Sequence, residues 1–280
     1  MAHPIIQREL IGTMRTKRAF VLLLGAAVVF VLLVIGRWPG DATVELSGVQ
    51  AQEVFRLFAY GLLAVLLLLV PAFPATSIVR EKRQGTLTLL LCSPLSPWSV
   101  FWGKATGMLC FVMLILAMSV PAALAAYAMG GISIRSQLLP LYVILLLVLL
   151  QYTTLALMVS SMANSTDAAL RITYALVLGL AVVALGPHFF LQGKPGLLPR
   201  LAESLRCVSP VPTMMEVAGH GDVGSFSAAA SFPTMTRFLL FTAGSSVVFA
   251  GLTIMQLSTY LLDRPRPQGI VTNDRSLGAR

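Results

Sequence analysis

The sequence predicts an all-α polytopic membrane protein: six transmembrane helices preceded by an N-terminal cytoplasmic interface helix. Three observations carry this reading. Of 280 residues, 57% are hydrophobic and only 11% are charged. Mean hydropathy is +0.85. Six runs, 19–36, 57–79, 105–134, 136–166, 172–193 and 238–262, contain no Asp, Glu, Lys or Arg, and the shortest is 18 residues long. A helix rising ~1.5 Å per residue crosses ~30 Å of hydrocarbon in about 20 residues. Buried helices of a soluble core would carry a polar face, which these runs lack.

Residues 1–18 come first. In "PIIQRELIGTMRTKR", Ile6, Leu10 and Met14 recur every fourth residue beside Ile5 and Ile11, while Arg8, Glu9, Arg15, Lys17 and Arg18 take the remaining surface. That pattern predicts an amphipathic helix lying on the membrane. The first apolar run exceeds the ~7 to 15 residues of a secretory signal core, with no small-x-small cleavage site near Arg37, and is read as a span.

Lys and Arg set the orientation. Six crossings put both termini on one side, which then holds thirteen of the 20 basic residues; the other holds Arg37, Arg56, Arg135, Lys194, Arg200, Arg206 and Arg237. The excess places both termini in the cytoplasm, and the chain in the cell inner (plasma) membrane. Attraction of basic flanks to anionic membrane lipids accounts for the net charge of +9 without nucleic acid.

Between the second and third spans lies a polar island, "IVREKRQGTLTLLLCSPLSPWSVFWGKATG". Gly85 permits a sharp turn, and Thr86 is placed to cap a short helix of Leu87, Leu89, Leu90 and Leu91. Ser96-Pro97 reads as an N-cap with proline at the first helical position of the third span. Trp98 and Trp102, four apart, are expected on one face at headgroup level, with Lys104 snorkelling beside them. This cytoplasmic elbow, 80–98, reads either as an ordinary interfacial loop or as a docking site for a soluble partner on Glu81, Lys82, Arg83 and the leucines.

Further along, Pro71, Pro74, Pro121 and Pro140 mark sites of kinking. Ala122, Ala123, Ala125 and Ala126 give the third span a closely packable face. Thr166 or Asp167 is expected to cap the fifth span. The outer segment, 193–233, holds two apolar pieces too short to cross, with Pro210 and Pro212 between them. After the spans, 263–280 is proline-rich and basic and is expected to be a flexible cytoplasmic tail.

Several functions are disfavoured. Ion-coupled carriers place ionisable groups at mid-depth, and the runs hold none; His188 falls near the outer end of the fifth. Gly103-Lys104 lacks the upstream glycine of a phosphate-binding loop, and Ala105 follows it. No Ser/His, paired Asp or His/Glu constellation suggests an intramembrane enzyme. Cys92, Cys110 and Cys207 show no CxxC spacing and read as packing residues, and His220 with Asp222 and distant His188 does not make a metal site.

The surface helix with Arg8-Glu9-Leu10, followed by Glu81, Gly85-Thr86, Leu87 to Leu91, Ser93-Pro94 and Gly103-Lys104, resembles the permease subunit of the ABC type 2 transporter family. The order of surface helix, six spans and a long outer segment before the last span is similar too. Thr88 departs from the second acidic residue that many members carry. The resemblance implies a pore-forming permease with no catalysis of its own. It would pair with a second permease copy or a homologous permease, and each would cradle a separate ATP-binding subunit that uses ATP and Mg. The implied coupling interface is Arg8, Glu9, Glu81, Lys82, Arg83, Gly85, Thr86 and Leu87. A non-transporting membrane anchor or assembly scaffold is the alternative, and the substrate class stays open.

Overall fold

The computed structural model describes residues 10–12, 14–15, 17–36, 49–87, 96–191, 198, 205–206, 208–219 and 234–262. Their regular structure is helical: α1 (Lys17–Ile35), α2 (Val49–Leu69), α3 (Ala72–Arg83), α4 (Pro97–Met118), α5 (Val120–Ala128), a π-helical turn (Ile134–Leu138), α6 (Leu139–Met162), α7 (Thr166–Leu191), α8 (Pro210–Val217) and α9 (Thr234–Leu262). Five helical stretches are long and apolar enough to cross a membrane: Val49–Arg83, Pro97–Ala128, Ile134–Met162, Thr166–Pro187 and Met235–Thr259. Each overlaps one predicted run. A shorter apolar helix, Ala19–Ile35, overlaps the remaining one. Large apolar side chains such as Phe20, Leu178 and Val247 stand exposed on α1, α7 and α9. In water such a surface would aggregate; against lipid tails it is neutral. The chain is an all-α, multi-pass membrane protein.

Proline shapes two of the spans. Pro71 separates α2 from α3, and Pro74 falls in the first turn of α3; neither supplies the amide that a continuous helix needs. At this break the Leu68 carbonyl accepts a hydrogen bond from the Tyr174 hydroxyl of α7. Pro121 likewise follows the break between α4 and α5 at Ser119. There the Ser119 hydroxyl donates to the Leu116 carbonyl at 2.6 Å and accepts from the Tyr142 hydroxyl at 2.9 Å. Polar side chains thus occupy both breaks, as an apolar medium requires.

At the centre stands α6, packed against α2, α3, α4, α7, α8 and α9. Its apolar window is 72% buried, against 22% for those of α7 and α9. A helix apolar all round has no preferred outer face and suits this position. Its few polar side chains point into contacts: the Gln151 amide donates to the Ser245 hydroxyl of α9 at 2.9 Å. On one flank α1 packs against α2, α4 and α5. Ala122, Ala123 and Ala126 are buried there as the small-residue face predicts, and at Gly61 a Cβ would run into the Leu33 side chain.

One expected cap is corrected. The Ala168 amide donates to the Ser165 hydroxyl at 3.2 Å, so Ser165, not Thr166 or Asp167, caps α7. Thr166 is instead the first residue of the helix. Of the predicted surface helix, residues 10–12 and Met14 are helical, with the Arg15 amide on the Ile11 carbonyl at 3.0 Å. Arg8, Glu9 and the predicted tail, 263–280, lie outside the described residues.

Candidate functional site: the elbow between α3 and α4

The elbow begins in the last turn of α3, whose Arg80, Lys82 and Arg83 complement the negative end of the helix dipole. Gln84 donates its amide to the Arg80 carbonyl at 3.0 Å, and Gly85 donates to the Lys82 carbonyl at 3.3 Å. The Thr86 hydroxyl takes the Glu81 carbonyl at 3.3 Å. Three orphan carbonyls of the helix end are thereby satisfied. Gly85 sits at φ +71°, the left-handed region where a side chain is strained, so the chain turns here because residue 85 is glycine. Thr86 and Leu87 are both helical, so Thr86 lies in the predicted short helix rather than capping it; Leu89 to Leu91 lie outside the described residues, as do Thr88 and Ser93-Pro94. The chain is described again at Ser96, whose hydroxyl accepts the Ser99 amide at 3.2 Å with Pro97 opening α4. Trp98 and Trp102 lie edge to face with ring centroids 5.8 Å apart, both exposed.

Lys104 departs from expectation. Sequence alone predicts a snorkelling amine and no charge inside a span. Instead α4 begins seven residues before Lys104, about 10 Å along the axis at 1.5 Å per residue, and the side chain is 1% exposed. Its Nζ lies 2.9 Å from Glu81 Oε1 and donates to Ser77 Oγ at 3.4 Å. The reason is that a lysine facing α3, rather than lipid, finds a carboxylate nearer than the headgroups. Glu81 is itself 14% exposed, and its Oε2 is buried with no hydrogen-bond partner among the described residues. Loss of either partner would strand a charge in a low-dielectric setting, so the pair fastens α3 to α4.

The other predicted interface residues divide into two groups. Leu87 faces inward at 2% exposure, in a cluster with Ile78, Val100, Phe101, Ala105, Leu157 and Leu257. Lys82 is half-buried, and its Nζ donates to Asn164 Oδ1 at 3.4 Å, tying α3 to the loop before α7. Arg83, Gln84 and Gly85 stand exposed at the tip. One element escapes sequence reading altogether: Ser160 of α6, fully buried, accepts from the Ile78 and Val79 amides, both at 3.1 Å. A serine in an apolar run gives no pattern to find it by.

At the far end of the bundle, Arg56 of α2 donates through Nε to the Ala218 carbonyl at 2.9 Å and through Nη2 to the Gly219 carbonyl at 3.0 Å. It thereby closes the C-terminal end of α8, where a cation is favoured. Pro210 and Pro212 open α8 behind the Ser209 cap. Proline fits there because first-turn amides have no acceptor within the helix. Cys110 is exposed and free rather than a packing residue. The His188 side chain, His220, Asp222, Cys92 and Cys207 lie outside the described residues.

Comparison with curated proteins gives no match. The family model described as ABC-2 family transporter protein matches residues 41–255, more than half of the chain and nearly all of the bundle above. With its long apolar helices and its elbow between α3 and α4, the chain therefore belongs to the ABC-2 transporter family, as a membrane-spanning permease.

Proposed function

We propose that the chain is the pore-forming half of an ATP-driven exporter, paired with a second permease copy or a homologous permease. A separate ATP-binding subunit, which uses ATP and Mg, sits on the elbow. Permeases of this family generally work with such a subunit. In this reading α1 is the first of six spans, and both termini lie with the elbow on the cytoplasmic side of the inner membrane. The interface helix of 1–18, carrying Arg8 and Glu9, supplies a second contact.

The observation that carries the proposal is the mechanical build of the elbow. An exposed tip, Arg83-Gln84-Gly85, is joined to two spans at once, through the buried Glu81–Lys104 pair and through Leu87 set among α3, α4, α6 and α9. A push on the tip therefore moves α3 and α4 together, and α3 continues through the Pro71 break into α2. Within the coupling interface, Arg83 and Gly85 make contact, while Glu81, Lys82, Thr86 and Leu87 hold the tip in place. A passive anchor needs the exposed tip but not its attachment to two spans. The test is reconstitution of the permease with its ATPase in proteoliposomes. Replacing Gly85 with Val should leave insertion intact and uncouple ATP hydrolysis from transport. Coupling equal to that of the wild type would remove the elbow from the mechanism.

A further inference from the structure

The two proline breaks fall on one line of division in the bundle. On the elbow side, α3, α4, α6, α7 and α9 pack on one another. Named contacts tie this group together: the Glu81–Lys104 pair, Ser160 on the Ile78 and Val79 amides, and the Phe73 ring edge to face with Phe111, centroids 4.9 Å apart. On the other side α2 packs on α5, and α1 on both. Both breaks lie where the chain passes from one group to the other within a span, between α2 and α3 and between α4 and α5. Across the division α1 also touches α4, and α2 touches α6.

A proline break is where a helix resists bending least. Pro71 and Pro74 withhold amides from the Leu67 and Val70 carbonyls, and Pro121 withholds one from Ala117. Each weak point is spanned by a tyrosine hydroxyl from the elbow side. Tyr174 of α7 donates to the Leu68 carbonyl in the last turn of α2. Tyr142 of α6 bonds the Ser119 hydroxyl, between α4 and α5, at 2.9 Å. Arg56 adds a fastening at the far end of α2, on α8. In lipid a freed carbonyl needs a donor, and a hydroxyl on the same helix is enough, as Ser119 shows at Leu116. A tyrosine reaching over from a neighbouring helix does something further: its bond breaks whenever the two helices part.

We propose that the two breaks form a hinge between the elbow group and the group of α1, α2 and α5, and that Tyr174 and Tyr142 are positioning residues that hold the hinge in the form seen here. The inference rests on the proposed coupling only for what drives the swing. A push on the elbow would turn α3 and α4 together about the breaks, and the two hydroxyls would leave their acceptors.

The experiment is pulsed electron paramagnetic resonance on the purified full-length permease alone in lipid nanodiscs, with Cys92, Cys110 and Cys207 replaced by Ser. Spin labels at Leu57→Cys on α2 and Gln84→Cys at the tip, both exposed positions, stand about 40 Å apart across the hinge at 1.5 Å per residue. Labels at Gln84→Cys and Met113→Cys, the latter exposed on α4, form a pair within the elbow group. Tyr174→Phe and Tyr142→Phe keep the rings and lose the hydroxyls. Each should raise the population of a second distance between 57 and 84 about threefold, the effect of one hydrogen bond between membrane helices. The two together should raise it roughly tenfold, to about a tenth of the molecules from a minor state near 1%, while the distance between 84 and 113 stays single. Tyr127→Phe, at an exposed tyrosine of α5, should change neither. A single, unchanged distance between 57 and 84 in the double variant would overturn the proposal. So would equal broadening of both pairs, which would mark hydroxyls that only stabilise the fold. With no ATP-binding subunit present, either result leaves the proposed ATPase contact to its own test.

Discussion

Neutralising Glu81 is the sharpest perturbation of the elbow. In Glu81→Gln, the Lys104 ammonium stays at 1% exposure, loses its carboxylate counter-ion and keeps the 3.4 Å contact with Ser77. Removing one member of a buried pair costs about 3–5 kcal/mol, because the remaining charge has lost its partner but not its desolvation. With Glu81 itself 14% exposed, the lower value, about 3 kcal/mol, is expected. Lys104→Met should cost less, about 1–2 kcal/mol, since the carboxylate left behind is the more exposed partner, at 14% against 1%. The double variant removes both charges and should return to within about 1 kcal/mol of wild type, giving a coupling of about 3–5 kcal/mol. Equilibrium unfolding in mixed micelles, followed by tryptophan fluorescence, reads all four proteins; two of the three tryptophans, Trp98 and Trp102, sit on α4 itself. Additive single effects, or a Glu81→Gln protein as stable as wild type, would refute the claim that the pair fastens α3 to α4.

At Gly85, φ +71° makes any Cβ cost roughly 1–2 kcal/mol; Gly85→Val should therefore lower thermal stability by that amount, and Gly85→Asn, which tolerates this region, by clearly less. Arg56→Ala removes both bonds to the end of α8, and amide hydrogen exchange across 210–219 should accelerate roughly tenfold or more, since hydrogen bonds to a charged group contribute about 1.5–3 kcal/mol each when formed; Arg56→Lys should fall between. The Gln151 amide bonds Ser245, but its Oε1 is buried without a partner among the described residues, so Gln151→Leu should change unfolding free energy by under about 1 kcal/mol, in line with the ~0.6 kcal/mol average for hydrogen bonds between membrane helices. A loss of several kcal/mol would show that Oε1 is satisfied by something else.

Sequence resolves the features that are periodic or excluded by sterics. The charge-free runs mark the spans because lipid admits no other composition over that length. Pro71, Pro121 and Gly85 mark breaks and a turn because a missing amide or a positive φ leaves no alternative. Ser96-Pro97 is read correctly as the start of α4 for the same reason. What sequence does not give is which side of a helix faces which neighbour. Lys104 is read as snorkelling because it adjoins a charge-free run and two tryptophans, whereas its side of α4 meets Glu81, 23 positions earlier. Arg56 counts in sequence as one of seven far-side charges, yet its partners lie more than 160 positions away. Ser160 is one hydroxyl in an apolar run until α3 packs on it. The elbow was therefore legible as a location, and its division into an exposed tip and a buried brace was not.

The central claim is that a cytoplasmic ATPase grips the elbow tip. A photoreactive phenylalanine at Gln84, in membranes containing the permease and its ATP-binding subunit, tests it most directly. The account predicts a crosslink to that subunit from position 84, strengthened by nucleotide, and none from the same group at Ser136, exposed at the far end. A crosslink from 136, or no crosslink from 84 in a complex that still hydrolyses ATP, would contradict it.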